Sequence, residues 1–453
     1  MMDCKVTDLC RAVGGTLVQT GAETVCGVST DSRRKAEGEL FIPLVGERFD
    51  AHDYLDQALE NGAAGCFIAR DVDHYLPGKF YIRVPDTKLA LRDLAAWYRG
   101  LFDLPVIQVT GSAGKTTTKE MIAAVLGRHD TVLKTQGNLN NEIGTPLTLL
   151  GLEREHWAAV IETGIDGFGD LTYLGPAVRP TVAVVTNIGD AHIENMGNTR
   201  QGVLRAKSEI FDFLQPGGLA VLNGDDALLN TLSLPFATVR CGKSDGCDVR
   251  VTDIRQRGME GMDCTVTTEK DVYHLAIPSP GEYMIYPASM AVAIGEHLGL
   301  SHQEIVEGAA AYLTTGRRMR RVKLPGDRLL VDDCYNANPQ AMASALQILA
   351  GSPSAHKVAV LGDMGELGEV SYDAHLSVGR LAAQLDVDTV VAIGPKAVQI
   401  AQGAGAKAVH FDSVAEAMDT VRQLFTPGTT VLVKASHSME FGKIAEELEQ
   451  IDS

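Results

Sequence analysis

The chain has 453 residues, of which 45% are hydrophobic and 22% charged, and a formal net charge of −18. One hydrophobic core does not extend over that length, so about three domains are expected. The acidic balance argues against non-specific binding to DNA, RNA or an anionic membrane, and an anionic ligand would need a local basic pocket.

Residues 1–103 read as a small mixed α/β domain. A short helix from Val6 to Val13 leads to strand signals at Val25–Val28, Leu40–Leu44, Cys66–Ile68 and Phe80–Val84, with a helix from Tyr54 to Leu59 between them. Two polar loops stand out, Ser29-Thr30-Asp31-Ser32-Arg33 and the loop from Gly46 to Asp53 with Arg48 and Phe49. Hydroxyls, arginines and an aromatic can hold a polar anionic ligand, although the same residues serve ordinary turns and caps. The N-terminus lacks an apolar signal core and no run reaches a membrane-spanning length, so a cytoplasmic protein is expected. Eight scattered cysteines without a Cys-x-x-Cys pair fit that reducing setting.

Residues 104–313 read as a parallel-sheet nucleotide-binding domain. The apolar run Val106–Thr110 rises to Gly111-Ser112-Ala113-Gly114-Lys115-Thr116-Thr117, and Met121, Ile122, Val125 and Leu126 then recur at helical spacing. Strand, glycine turn and helix in that order make a phosphate cradle. The glycines let successive N–H groups turn inward, Lys115 reaches the outer phosphates, and the Thr116 hydroxyl can ligate Mg²⁺. Val109 stands where the usual phosphate-loop pattern has its first glycine.

The continuous apolar runs Ala158–Ile161 and Val182–Val185 read as strands buried on both faces. Glu162 follows the first and His192 lies a few residues past the second. Ligands of open parallel sheets bind beyond the strands' carboxyl ends, so Thr116, Glu162 and His192 are expected to converge on one magnesium site. Lys207 is placed oddly: Val203, Ile210, Phe211 and Leu214 put it on the apolar face of its helix, looking toward that crevice. An ammonium there repels the metal, and a deprotonated lysine could instead add CO₂ and become an anionic carbamate. Short alternating segments over residues 219–280 suggest a small antiparallel insert, closed by a helix from Ala288 to Leu298.

Residues 314–453 alternate strands (Leu329–Val331, Val358–Leu361, Thr389–Ile393, Ala408–Phe411, Thr430–Val433) with helices, a doubly wound Rossmann-like pattern. No Gly-x-Gly-x-x-Gly fingerprint indicates a dinucleotide.

Thr110–Thr117, the Asn-rich Gly137–Gly144 loop, Glu162-Thr-Gly164, Asn187–His192, Ala206–Phe211 and Asp332–Pro339 together resemble the Mur ligases, the ATP-dependent amide-forming ligases of peptidoglycan precursor synthesis. Leu361–Gly368 and the Gly46–Asp53 loop point to the branch that adds D-Ala-D-Ala to UDP-MurNAc-tripeptide. The resemblance implies ATP and magnesium, two ions, as cofactors, with Lys115, Glu162, His192 and Lys207 catalytic. Thr116, Glu162, His192 and a carbamylated Lys207 would hold the metal. Gly111–Thr117, Arg318, Asp333, Asn336 and Asn338 would bind nucleotide, with Arg317 an alternative to Arg318. Ser29–Arg33, Arg48, Phe49, Asn138 and Asn141 would bind substrate. Only small-molecule partners, neither nucleic acid nor membrane, and a monomer are expected. Two departures stand out: Pro287 replaces an asparagine that sits near adenine in the family, and Lys434-Ala-Ser-His437 replaces a Lys-Gly-Ser-Arg loop. The runner-up is a folylpolyglutamate synthase-like ligase, which lacks a domain like residues 1–103.

Overall fold

Strands buried on both faces need continuous apolar runs, and the centre of the chain supplies them. In the computed structural model, which describes residues 1, 3–46 and 48–451, every residue of Val106–Thr110, Ala158–Glu162, Val182–Val185 and Leu219–Asn223 is buried. These strands form the middle of a nine-stranded sheet. From one edge its order is Val272–Ile277, Met262–Thr267, Val249–Gln256, Ala237–Gly242, Leu219–Asn223, Val182–Val185, Val106–Thr110, Ala158–Glu162 and Val132–Lys134. The chain leaves Val106–Thr110 toward one edge and returns to its other side, so that strand marks the switch point where a ligand crevice opens.

The expected antiparallel insert takes a different form. Ala237–Gly242 and the start of Val249–Gln256 add parallel to the main sheet, and only Met262–Thr267 and Val272–Ile277 turn antiparallel at its edge. Their alternating burial comes from covering one face only.

Each face of the central sheet has its own core. On one, Ile107, Val109, Val160 and Val184 pack against Met121, Val125, Ile285 and Ile305 of three helices. On the other, Val106, Ala159 and Ile161 meet Leu91, Leu94 and Tyr98 of the helix Thr87–Arg99, and that cluster continues into Leu40, Phe67, Phe80 and Ile82 of the N-terminal sheet. The helix starts where the Asp86 carboxylate accepts from Leu89 N–H at 2.9 Å. Burying Leu91 and Leu94 completely stabilises this seam by about 1.5–3 kcal/mol each.

The N-terminal sheet has five strands, in the order Thr16–Gln19, Phe80–Arg83, Gly65–Ile68, Leu40–Phe41 and Val28–Ser29. The stretch expected as one strand from Val25 to Val28 splits, because Val25 pairs with Cys4 while Val28 pairs with Leu40. The C-terminal sheet runs Arg320–Leu324, Arg328–Asp332, Thr429–Lys434, His356–Gly362, Thr389–Ile393 and Ala408–Phe411, parallel except for the first strand. Three α/β domains result, as the residue pattern predicts. Among the described residues no helix is long and apolar enough to cross a membrane. Glu47, in the second polar loop, lies outside the described residues.

Candidate active site

The phosphate loop leaves the switch-point strand through Gly111, whose φ of +149° and a Cβ that would lie 1.9 Å from Thr186 Oγ1 leave room for glycine alone. Gly114, at φ +79°, turns the chain into the helix Lys115–Leu126. The loop is pinned to the exit of the neighbouring strand. Ala113 N–H donates to Asn187 Oδ1 at 2.9 Å, Ser112 N–H to the Asn187 carbonyl at 3.1 Å, and Thr186 Oγ1 to the Ala113 carbonyl at 2.6 Å. Lys115 folds back so that its Nζ donates to the Gly111 carbonyl at 2.8 Å. Burial pushes the Lys115 pKa down, the Glu162 carboxylate opposes that shift, and Arg318 adds to it. Gly111→Ala is expected to weaken nucleotide binding and to lower the thermal midpoint, since a strained backbone alone costs about 1–3 kcal/mol. Titration with a fluorescent ADP analogue and a melting curve check both.

Glu162 is buried at 2% exposure. Its Oε1 accepts from the Thr116 hydroxyl at 3.0 Å and from Asn140 Nδ2 at 2.9 Å, while Oε2 has no hydrogen-bond partner. A buried carboxylate oxygen without a donor is costly unless a cation takes it. With the adjoining hydroxyl it fits magnesium, which binds through few protein oxygens and keeps waters and phosphate oxygens as its other ligands.

His192 lies on the wall of the same cavity, in a left-handed backbone conformation at φ +57°. Its Nδ1 lies 3.1 Å from Glu366 of the C-terminal domain and 3.5 Å from Asp166. Thr116 and Glu162 are thus in contact, and His192 shares their cavity while facing two carboxylates. Among the described residues no three His, Cys, Asp or Glu side chains are grouped to hold a metal.

Lys207 is 2% exposed, on the helix Arg200–Ser208. Burial drives its pKa well below the usual lysine range, and the positive charge of Lys115 adds to the shift against a smaller opposing pull from Asp166.

The cavity of roughly 800 Å³ also takes in Arg318, Asp333, Asn336 and Asn338 from the C-terminal domain. The Arg318 guanidinium lies 4.0 Å from the centre of the Tyr335 ring. Arg317 is committed elsewhere, donating to Asp332 at 3.0 Å and pairing with Glu446 at 2.5 Å. Asp333 Oδ1 accepts from Met319 N–H at 3.0 Å, and its Oδ2 pairs with Lys434 at 2.7 Å. Lys434 also donates to the Asn336 carbonyl at 2.9 Å, so it braces this loop from beneath. Asn338 caps the helix Pro339–Ala350 by accepting from Ala341 N–H at 2.8 Å.

Lys207, expected to look into the crevice, is not part of the cavity lining, and the substrate-side sequence candidates lie apart from it as well. Ser29, Asp31 and Arg33 bond among themselves, and the Arg33–Asp31 pair holds that carboxyl down at about 2. Ser32 donates to Gln57 at 3.3 Å, and Thr30 is half-buried. Arg48 and Phe49 are exposed. Asn138 is exposed too, and Asn141 Oδ1 accepts from Gly144 N–H, at the start of the helix Gly144–Leu149, at 2.8 Å. The asparagine of that loop that reaches the site is Asn140. Sequence reading passed it over because three asparagines stand nearly in a row and only the folded turn selects one. Asn187, which clamps the phosphate loop, was missed singly, although its position just past a buried strand was the available signal. Tyr283, Tyr286 and Pro287 line the cavity near Asp225, to which the Tyr286 hydroxyl donates at 3.0 Å. Pro287 sits in the first turn of the helix Ile285–His297, where a missing N–H breaks no helical bond.

Two family models match the chain, Mur ligase middle domain over residues 109–295 and Mur ligase, glutamate ligase domain over residues 317–437. The UDP-N-acetylmuramoyl-tripeptide–D-alanyl-D-alanine ligase of Bacillus subtilis (strain 168) is 34% identical, with 99% of each chain covered. Among solved structures, MurF from Acinetobacter baumannii superposes with a TM-score of 0.90 at 33% identity over 99% of both chains. The MurF ligase of Thermotoga maritima in complex with ADP gives 0.83 at 29% identity, covering 94% of this chain and 97% of that one.

Proposed function

The chain belongs to the Mur ligase family, and from that premise we propose that it joins D-Ala-D-Ala to UDP-MurNAc-tripeptide at the expense of ATP. The products are UDP-MurNAc-pentapeptide, ADP and phosphate. The observation that carries the reading is end-to-end similarity, which includes the N-terminal domain that a folylpolyglutamate synthase-like enzyme lacks.

The tripeptide carboxylate attacks the γ-phosphorus, ADP leaves, and an acyl phosphate remains. The amine of D-Ala-D-Ala attacks the acyl carbon, and phosphate leaves. The obstacle is charge, because a carboxylate must approach a triphosphate. Lys115 and Arg318 neutralise the phosphates from two domains, and the inward N–H groups of Gly111–Thr117 orient them. Magnesium would be held by Thr116 and Glu162, with His192 beside them and a second ion near Lys207, and would supply Lewis-acid neutralisation of the phosphate oxygens. Lys207 acts as a carbamate: the ammonium first gives up a proton, which its lowered pKa favours, the neutral amine nitrogen then bonds to the carbon of CO₂ and loses a second proton, and the side chain becomes an anion. Asp333, Asn336 and Asn338 hold the ribose side of the nucleotide. Residues 1–103 take the UDP part of the substrate through Ser29–Arg33, Arg48 and Phe49, and Asn138 and Asn141 border the peptide. Residues 104–313 bind ATP and residues 314–453 contribute dipeptide and nucleotide contacts. The protein works as a monomer in the cytoplasm, and eight scattered cysteines without a Cys-x-x-Cys pair support the reducing compartment.

Coupled phosphate release tests the assignment. Turnover is expected with UDP-muramyl tripeptide plus D-Ala-D-Ala and not with folate plus glutamate, and the reverse result overturns it.

A further inference from the structure

Behind the phosphate loop lies a row of alternating charges that the reaction above does not use. Lys119 is 1% exposed and Glu120 7% exposed, both on the helix Lys115–Leu126. The Lys119 ammonium donates to the Thr135 carbonyl at 2.6 Å and pairs with Glu120 Oε1 at 3.0 Å. Glu162 Oε2 lies 3.7 Å from the same ammonium, beyond hydrogen-bond reach. Glu120 Oε2 is bound by Lys134 on the far side. Thr135 ties both ends together, because its Oγ1 accepts from Glu162 N–H at 2.9 Å.

We propose that Glu120 is a positioning residue for the magnesium ligand Glu162, acting through Lys119. Glu120 and the Thr135 carbonyl hold the ammonium just short of Glu162 Oε2. The lysine therefore offsets the buried negative charge without occupying the oxygen the metal needs. Without the Glu120 carboxylate, the ammonium closes the gap and competes with magnesium. Glu120 is not part of the cavity lining, and of its two ammonium partners, Lys119 and Lys134, it is Lys119 that stands beside Glu162, so the effect of its replacement on metal binding is assigned to Lys119. The proposal rests on the Mg²⁺–ATP reading of Glu162.

The test is titration of Mg²⁺ into the full-length protein with a fluorescent ADP analogue, with melting curves to verify folding. Glu120→Gln is expected to raise the half-saturating Mg²⁺ concentration about tenfold, the scale on which residues supporting metal ligands act. Glu120→Asp, which keeps the charge on a shorter arm, shifts it less in the same direction. In a Lys119→Met background, Glu120→Gln is expected to shift it less than about twofold, since the competitor is gone. No shift in either Glu120 variant, or an equal shift with and without Lys119, overturns the proposal. A parent protein whose nucleotide binding ignores Mg²⁺ overturns the metal reading itself, and a parent that responds while the variants match it overturns only the role of Glu120.

Discussion

Lys115→Ala is expected to lower kcat for coupled phosphate release by about 100–1000-fold, the cost of removing one preorganised donor aimed at developing charge. The lysine stands at the start of the helix Lys115–Leu126, where the helix dipole already favours an anion. Its ammonium rests on the Gly111 carbonyl at 2.8 Å, a partner it can leave for a phosphate oxygen. Burial lowers its pKa, so a bound triphosphate recovers part of the desolvation penalty by pairing with the charge. Transfer of the γ-phosphoryl group leaves little covalent chemistry to the protein, and a fixed cation at that point is its main lever. The melting temperature should fall little, because the ammonium has no carboxylate partner within ion-pair distance among the described residues. A loss of less than tenfold would mean that Arg318 and the backbone N–H groups carry the neutralisation by themselves.

The parts of this site that could be read from residue order are those set by strand periodicity. Val182–Val185 is a continuous apolar run because both faces of its sheet are covered, and its ends in the fold coincide with the ends of the run. The same logic placed Glu162 and the phosphate loop at neighbouring strand ends, where Thr116 and Glu162 do meet at 3.0 Å. The edge strand Arg320–Leu324 was not legible, because three of its five residues are basic and it is only half-buried, so it carries no apolar alternation. The choice between Arg317 and Arg318 was also closed to sequence. Adjacent arginines on an irregular segment point in different directions, and only the Asp332 and Glu446 partners show which one is spent on the fold. The contact from Glu366 to His192 joins residues of two domains, and no local pattern encodes where one domain docks on another.

Lys207→Ala is expected to be the second severe variant, with activity down by at least about 100-fold and restored in part by acetate or another short carboxylic acid. A lysine 2% exposed among Val203, Ile210 and Phe211 is shielded from the solvent that would stabilise its charge. Among the described residues no carboxylate pairs with it, and the nearby Lys115 charge lowers its pKa further. The folded-state pKa therefore lies below the unfolded one. Between the two values the unfolded chain binds the extra proton, so stability rises with pH in that window and the charged form is the destabilising one. Carbamate formation removes that conflict, since an anion beside Lys115 is attracted where an ammonium is repelled. Labelled bicarbonate should then give a carbamate carbonyl signal by ¹³C NMR in the parent protein, absent from Lys207→Ala. Full activity of Lys207→Ala without added acid would leave the lysine a buried amine with a packing role, and the anion in the site would have to come from the substrate alone.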